Sequence, residues 1–330
     1  MRVLFLGGTG VISSACSRQA VDQGIELYAI NRGVTARSLP DKVKRIKADA
    51  RDARDLCKAV AALEFDAVVD WIAFTPEHIQ QDYSVFRETA GQFIFISTAS
   101  AYQTPPSHLP ITEETPLSNP FWEYSRQKID CENLLMEFYE RHQFPVTIVR
   151  PSHTYDRTKL PCRGNWTTID RMRKGLPVIV HGDGTSLWTL THHLDFAKGF
   201  IGLLGNTAAI GEAFHITSEE WLTWNQIYQY LADAAKADFK PVYIPSTVIN
   251  EFDPEMGSGL LGDKAQSMIF DNSKIKHFVP DFECTIPFEQ GSREMIDWYD
   301  ANPVRQVIDS SYNEFSDKLI DRCVKYFTND

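Results

Sequence analysis

The chain has 330 residues, more than a single hydrophobic core usually supports, so we expect one large domain with a smaller lobe. Its formal net charge is −11 and its basic residues are spread out, which disfavours the concentrated positive surface of a nucleic-acid-binding protein. No stretch approaches the roughly 18 uninterrupted apolar residues of a membrane span, and the chain begins directly on an apolar segment, so we expect a soluble cytoplasmic protein.

The six cysteines form no Cys-x-x-Cys pair. Cys16, Cys57 and Cys131 lie in helix-like segments, which favours buried thiols in a reducing compartment over disulfides or metal ligands. We therefore expect no metal site.

Short apolar segments alternate with helix-like segments through the first half of the chain. Strands are predicted at RVLFLGG, IELYAINRG, VKRIKAD, DAVVDWIAF, QFIFIST and PVTIVRP. Helices are predicted after the first strand and at ARDLCKAVAAL, IQQDYSVFRETA and YSRQKIDCENLLMEFYERH. This alternation predicts an α/β fold, a doubly wound parallel sheet of the Rossmann type, in which ligands bind at the carboxyl ends of the strands.

The first strand ends in the glycine loop Gly7-Gly8-Thr9-Gly10-Val11-Ile12-Ser13. Gly7 and Gly10 allow a tight turn that brings backbone N–H groups to a pyrophosphate at the start of the next helix. Ser13 stands where a third glycine is expected and is small enough to replace it. The position after a strand and before a helix favours a dinucleotide site over an ordinary turn.

The end of the second strand bears on the choice of cofactor. A carboxylate there binds the adenosine 2′-hydroxyl of NAD, but this chain offers Asn31 and Arg32. An arginine pairs with a 2′-phosphate instead, and Arg37 is placed to assist, so NADP(H) is favoured over NAD(H). The alternative is that Arg32 points into solvent.

Two further strand ends are placed to contact the same cofactor. Asp49 and Ala50 end the third strand and are expected to touch the adenine. Trp71, Ile72 and Ala73 end the fourth strand and are expected beside the pyrophosphate and ribose.

Tyr124 and Lys128 stand four residues apart in a predicted helix, which places them on one face. An ammonium near a phenol lowers its pKa, and such a tyrosine can exchange a proton with an alcohol while hydride moves to or from a nicotinamide. The hydroxyl of Thr98, at the end of the fifth strand, can bond the same oxygen. The second such pair, Tyr155 and Lys159, follows a strand and precedes a proline, so a loop is expected there.

These segments together resemble the extended short-chain dehydrogenase/reductase superfamily, specifically its NAD(P)-dependent epimerase/dehydratase group. The resemblance covers nearly the whole chain, through FLGGTGVIS, STASAY, YSRQK, RPSHTYD, GDGTSLWTLTHHLD and FEQGSREMIDWY in the family's order. It implies hydride transfer at a carbinol or carbonyl carbon of a sugar or nucleotide-sugar-like substrate.

The resemblance also implies roles for individual residues. Thr98 is then the catalytic hydroxyl, Tyr124 the acid/base, and Lys128 the residue that binds the nicotinamide ribose and lowers the tyrosine pKa. Ser97 and Ser100 are alternatives to Thr98. The full expected cofactor set is Gly7, Thr9, Gly10, Val11, Ile12, Asn31, Arg32, Asp49, Ala50, Trp71, Ile72, Ala73, Tyr124, Lys128, Pro151, Ser152 and His153.

Two departures from the family pattern narrow the reaction and the substrate. Dehydratases of the group have an Asp-Glu pair after the catalytic threonine, where this chain has Ala99-Ser100, so epimerisation or reduction is favoured over 4,6-dehydration. Trp188 occupies the position of an arginine that clamps substrate phosphates. The pyrophosphate is then held by another arginine (candidates are Arg163, Arg171 and Arg173), or the substrate lacks one.

The GGTG loop, the NRG turn and VVDWIAFTP most resemble a branch that includes the chloroplast stem-loop RNA-binding proteins. They supply an alternative: a catalytically weak nucleotide-binding scaffold that binds RNA. The retained tyrosine/lysine pair and the negative charge favour a small-molecule substrate, with no nucleic acid and no membrane as partner.

The second half is expected to divide between two domains. Residues 1–157 and about 188–220 are assigned to the Rossmann domain, and about 158–187 and 221–330 to a substrate lobe. Ser100, Trp166 and Trp188 are candidate substrate contacts, and Trp221 and Trp224 are further aromatic candidates. Apolar residues at helical spacing predict a C-terminal helix that packs onto the body or onto a second subunit of a homodimer: Val304, Ile308, Tyr312, Phe315, Leu319, Cys323 and Tyr326.

Overall fold

The computed structural model describes residues 1–34, 37–61 and 63–328. Its strands are Arg2–Leu6 (β1), Glu26–Asn31 (β2), Lys44–Lys47 (β3), Ala67–Asp70 (β4), Phe93–Ile96 (β5), Val146–Pro151 (β6), His153–Tyr155 (β7), Val178–His181 (β8), Leu187–Trp188 (β9), Leu190–His192 (β10), Ala213–Ile216 (β11), Leu222–Thr223 (β12) and Pro241–Ile244 (β13). Its α-helices are Val11–Asp22 (α1), Ala53–Val60 (α2), Pro76–Phe86 (α3), Glu123–His142 (α4), Trp166–Arg173 (α5), His193–Leu203 (α6), Trp224–Ala235 (α7), Ser246–Phe252 (α8), Pro254–Gly259 (α9), Ser273–Phe278 (α10), Phe288–Asp300 (α11) and Ser310–Thr328 (α12).

Seven parallel strands form the central sheet in the order β11-β6-β5-β4-β1-β2-β3. The strand order reverses between β1 and β4, which creates a crevice at the carboxyl ends of these strands. Every residue of β4 and β5 is buried, as expected for apolar strands covered on both faces. The predicted doubly wound α/β fold is therefore confirmed.

Helices cover both faces of this sheet. Residues of α1 and α6, including Ala15, Cys16 and Phe200, build one apolar layer. The opposite layer includes Leu56 of α2, Phe86 of α3 and residues of α4. The sheet is thus a middle layer whose carboxyl edge carries the loops.

Three short strand pairs lie outside the central sheet, β7 with β10, β9 with β12 and β8 with β13. The second lobe contains β8 and β13. Its core joins indoles and aliphatic side chains of α5, α7 and α11. Tyr155 ends β7 and Lys159 lies outside any helix or strand, as expected for a loop.

The C-terminal helix α12 packs on this lobe through Leu319 and Ile320, in an apolar cluster with Ile179 and Ile244. The prediction placed its start too early. Val304 is 82% exposed and precedes the helix, as does Ile308, because the chain first forms a short 3-10 turn at Pro303–Arg305. The side chain of Tyr326 lies outside the described residues.

The expectation that Cys16, Cys57 and Cys131 are buried is confirmed only in part. Cys16, Cys131 and Cys162 are buried, but Cys57 is exposed, because it lies on the outer face of α2. Within the part of the chain that the structure describes, no helix is both long and apolar enough to cross a membrane.

A buried ion pair fixes α4 against the sheet. The Arg150 side chain on β6 donates from Nη2 to Glu132 Oε2 at 2.6 Å, and from Nε to both carboxylate oxygens at 3.1 Å. Ser97, after β5, donates a fourth hydrogen bond to Glu132. Both charged side chains are less than a tenth exposed, so each depends on the other for compensation.

We expect Glu132→Gln to lower the free energy of unfolding by roughly 3–5 kcal/mol, because it leaves the buried Arg150 guanidinium without a counter-charge. The double variant Glu132→Leu/Arg150→Met should recover much of that loss. Urea denaturation followed by tryptophan fluorescence measures both. The control Glu137→Gln removes one partner of an exposed pair on the same helix and should cost about 1 kcal/mol at most; equal losses for the two single variants would contradict the prediction.

Candidate active site

The glycine loop after β1 forms an open cradle at the start of α1. Gly7 and Gly8 have φ values of +102° and +109°, a region that favours glycine. A Cβ atom on Gly7 would lie 3.1 Å from Cγ2 of Ile72, so a side chain would crowd the β4 loop. Ser13 accepts a hydrogen bond of 2.8 Å from the Gly10 N–H, which orders the first turn. This geometry fits a dinucleotide whose pyrophosphate lies at the helix start.

The loop after β2 contains the two arginines that were considered for a 2′-phosphate. Arg32 is exposed, and Asn31 Oδ1 accepts a hydrogen bond from the Gly33 N–H. Arg37 forms an ion pair with Asp156 and donates to Thr158 Oγ1 at 2.9 Å, which ties this loop to the segment after β7. Of these two arginines, Arg32 is therefore free to meet a 2′-phosphate, whereas Arg37 is already paired with Asp156.

Hydrogen bonds order the loops that follow β3 and β4. Asp49 accepts a hydrogen bond from the Arg51 N–H, and the Ala50 carbonyl accepts one from Gln81. Asp70 accepts 2.7 and 2.9 Å hydrogen bonds from the N–H groups of Ile72 and Ala73, which fixes the loop after β4. The Trp71 ring packs on Phe5 and Phe200 in the core instead of facing the crevice.

The three proposed catalytic residues lie together beyond β5. Thr98 Oγ1 is 3.0 Å from Ser100 Oγ, which is 2.7 Å from Ser125 Oγ. Tyr124 and Lys128 are one turn apart on α4. The Lys128 ammonium donates to the carbonyls of Ala73 and Ile96 at 2.6 and 2.7 Å, so α4 is held directly against the ends of two strands.

Burial controls the protonation of this pair. It raises the pKa of Tyr124 to about 12; the Thr98 hydroxyl opposes this shift and the Asp263 carboxylate adds to it. Burial also lowers the pKa of Lys128 to about 8, against the attraction of Asp70.

The expected lowering of the tyrosine pKa by Lys128 is therefore wrong for this structure. The ammonium donates its hydrogen bonds to two backbone carbonyls, and desolvation of the phenol dominates. Tyr124 is accordingly a protonated phenol at neutral pH.

A cavity of about 510 Å³ opens beside these residues. Among its lining residues are Thr98, Ser100, Trp122, Tyr124, Pro151, Ser152, His153, Trp188, Trp224, Asp263 and Lys264. The candidates Ser100 and Trp188 are thus at the cavity, whereas Trp166 stacks on Tyr299 outside its lining, because α5 turns that ring into the lobe core. Trp221 is 54% exposed and also lies outside the lining.

The three arginine candidates for binding a pyrophosphate lie in different places. Arg163 lines the cavity mouth, 4.0 Å from Asp253. Arg171 pairs with Asp317, and Arg173 with Asp300, both away from the cavity. The Trp188 indole donates its only N–H to His153 Nδ1 at 3.1 Å. No described arginine other than Arg163 lines the cavity.

Several residues at the cavity were missed from the sequence, among them Trp122, Asp263 and Lys264. Trp122 stands two residues before Tyr124, and its ring centroid lies 4.8 Å from that of the tyrosine, so proximity in sequence was a usable signal. Asp263 and Lys264 reach the cavity from the other lobe, more than a hundred residues later, and carry no motif that marks them.

Comparison with known proteins identifies the family. The model described as the NAD dependent epimerase/dehydratase family matches residues 3–217, nearly two thirds of the chain. The chain belongs to this family.

Two known proteins are similar to this chain at low identity. The chain is 26% identical over 254 residues to a 2′-dehydrokanamycin reductase of Streptomyces kanamyceticus, covering 74% of this chain and 70% of that protein. It is 26% identical over 267 residues to the chloroplast stem-loop binding protein of 41 kDa b of Arabidopsis thaliana, covering 77% and 66%. The match thus spans about two thirds of each relative's length.

Solved structures show the same fold. A dTDP-glucose 4,6-dehydratase from Bacillus anthracis, in complex with NAD, aligns with a TM-score of 0.74 at 18% identity, covering 92% of this chain and 98% of that one. The likeness confirms the Rossmann architecture of this epimerase/dehydratase family member.

The raised pKa of Tyr124 predicts the outcome of a spectroscopic titration. The tyrosinate absorbance at 295 nm that Tyr124→Phe removes should develop only near pH 12, because burial disfavours the phenolate. Asp263→Asn should shift that transition to lower pH by removing a nearby negative charge. A Tyr124-dependent transition below pH 9 would instead mean that Lys128 controls the phenol.

Proposed function

We propose that this protein is an NAD(P)-dependent reductase or epimerase that moves hydride at a carbinol or carbonyl carbon of a sugar-like substrate. The supporting observation is the placement of Thr98, Tyr124 and Lys128 together, between a glycine loop that fits a dinucleotide and a cavity that fits a small molecule. Reduction is favoured over epimerisation by the first relative, which is named as a reductase.

The residues divide the chemistry of carbonyl reduction between them. Hydride for the carbonyl carbon comes from a reduced nicotinamide cofactor when one is bound at the glycine loop. Tyr124 donates its proton to the carbonyl oxygen, which becomes the hydroxyl of the product. Thr98 would orient that oxygen by a hydrogen bond, and Lys128 would bind the nicotinamide ribose, as the family resemblance implies. Tyr124 is left as phenolate and takes up a proton from solvent before the next cycle, which its raised pKa favours.

The role of Tyr124 predicts a selective loss of activity. Tyr124→Phe should reduce NAD(P)H-dependent turnover of ketosugars by roughly 10²–10⁴-fold, because the proton donor is lost. Cofactor affinity, measured by fluorescence titration, should stay within about threefold. Tyr243→Phe, at a tyrosine that is 46% exposed on the lobe, is the control and should leave turnover unchanged. Full activity of Tyr124→Phe would refute the assignment.

The proposed cofactor is NADP(H), by virtue of exposed Arg32 at the end of β2. Arg32→Ala is expected to weaken NADPH binding about tenfold and to leave NADH binding unchanged, because only NADPH carries the 2′-phosphate. Fluorescence titration with both cofactors tests this, with Arg87→Ala as the control at an exposed arginine of α3's C-terminal end. Tighter binding of NADH than of NADPH by the unaltered protein would contradict it.

A second candidate function, RNA binding, is favoured by one relative, the chloroplast stem-loop binding protein. The net charge of −11 weighs against it, since phosphate contacts provide most non-specific affinity for nucleic acid. We expect no gel shift of stem-loop RNA at 50 mM salt and micromolar protein. A shift that survives Tyr124→Phe and disappears at higher salt would favour the RNA-binding alternative.

A further inference from the structure

The polar end of the cavity is a single π-helical turn, Leu260–Lys264, contributed by the second lobe. Such turns are rare and occur frequently at functional sites. The Lys264 carbonyl accepts hydrogen bonds from His181, Ser186 and Trp224 at 3.1, 3.1 and 3.2 Å. The Gly262 carbonyl accepts a fourth, from Asn119 at 2.6 Å. The backbone of this turn is thus hydrogen-bonded to several other segments, which fixes the positions of its Cα atoms.

The side chains of this turn place a charge pair in the cavity wall. Lys264 Nζ lies 3.1 Å from Asp263 Oδ2, and the two side chains are 25% and 15% exposed. The ammonium also lies 5.6 Å from the ring centroid of Trp122 and 5.7 Å from that of Trp188. These indoles stabilise it by cation–π attraction and restrict its position.

This pair is poorly suited to a diphosphate. An anion that approaches Lys264 also meets the carboxylate of Asp263, so the two charges largely cancel. The indole N–H of Trp188 is already used on His153. The other cations of the cavity lining, Lys159 and Arg163, are both exposed to solvent, which screens their charge, and Arg163 also lies near a carboxylate. A tightly bound diphosphate normally requires several uncompensated donors.

The same pair matches the chemistry of neighbouring hydroxyl groups. A hydroxyl both donates and accepts, so one can donate to the Asp263 carboxylate while the next accepts from the Lys264 ammonium. The apolar face of a sugar ring can lie against an indole such as Trp122, which borders Tyr124. Such a ligand is neutral and gains nothing from a net charge in the wall.

We propose that Asp263 and Lys264 bind adjacent hydroxyl groups of a neutral sugar or cyclitol ring that carries no diphosphate. The inference rests on the proposed function for the position of the reacting carbon beside Tyr124, and it deepens that function by naming the class of substrate. Asp263 and Lys264 are specificity residues: they hold the ring but take no part in hydride transfer.

Isothermal titration calorimetry of the full chain saturated with NADP⁺ tests the proposal. The probes are methyl glycosides of common hexoses, myo-inositol and uridine 5′-diphosphate. We expect at least one neutral probe to bind, uridine diphosphate not to bind at 1 mM, and Lys264→Met and Asp263→Asn each to weaken the neutral probe at least tenfold. Lys318→Met, at a lysine of α12 with a 78% exposed side chain, is the matched control and should change nothing.

Two further measurements separate recognition from folding. Lys264→Arg keeps the charge and the donors and should restore at least a third of the affinity lost in Lys264→Met, whereas a purely structural defect would also appear as a lowered melting temperature. With a substrate that is turned over, Lys264→Met should raise KM at least tenfold and leave kcat within about threefold.

Micromolar binding of uridine diphosphate that depends on Lys264 would overturn the proposal, and so would failure of every neutral probe to bind. Calorimetry needs no turnover, so the result is independent of the test on Tyr124. A Tyr124→Phe variant that loses turnover supports the oxidoreductase function even if every neutral probe fails. A neutral ring that binds through Lys264 identifies the ligand class even if Tyr124→Phe remains active.

Discussion

The arrangement of the site depends on one buried ammonium. Lys128 is 2% exposed, and taking such a charge out of water costs several kcal/mol unless it is compensated. Carbonyls of Ala73 and Ile96 and the rings of Phe74 and Phe95, each 4.7 Å away, provide that compensation. Because those groups belong to the ends of β4 and β5 and the loop after β4, α4 can occupy only one position along the sheet.

That position determines what surrounds the phenol of Tyr124. One turn before Lys128, the ring lies beside Thr98 and at the wall of the cavity. The Glu132–Arg150 pair restrains the same helix one turn further on. Two buried charges on one helix thus fix the phenol of Tyr124 at the wall of the cavity. These directional contacts fix the position of α4, since an apolar contact would tolerate sliding of the helix.

Much of the first half followed from the sequence because local signals and tertiary environment agree there. Apolar strands that end in glycine or hydroxyl residues gave the sheet, its carboxyl edge, and the grouping of Thr98, Tyr124 and Lys128. The second lobe was harder, because strands as short as Leu187–Trp188 show no periodicity. The helical spacing of apolar residues also extended the predicted C-terminal helix back to Val304. In the structure Val304 is exposed and precedes α12.

The parts of the site that were not predicted depend on which residues come close together in the folded chain. Trp166 and Trp188 look alike in sequence, yet only Trp188 reaches the cavity, because the direction of each element decides which ring faces it. Asp263 and Lys264 arrive from the other lobe. The direction of the Tyr124 pKa shift was also inaccessible, since it depends on the balance between desolvation and a cation that is already hydrogen-bonded elsewhere.

Asn119 has a consequence for attempts to redesign the cavity. Its amide donates to the carbonyls of Ser100 and Gly262 at 2.9 and 2.6 Å, and its oxygen accepts from the N–H of Trp122 at 3.1 Å. One side chain therefore joins the loop after β5, the start of α4 and the π-helical turn of the other lobe. Moving the lobes apart to widen the cavity would therefore disturb the segments that position Tyr124. A mutant library for larger or smaller ligands should vary the cavity wall at Trp122 and leave Asn119 unchanged.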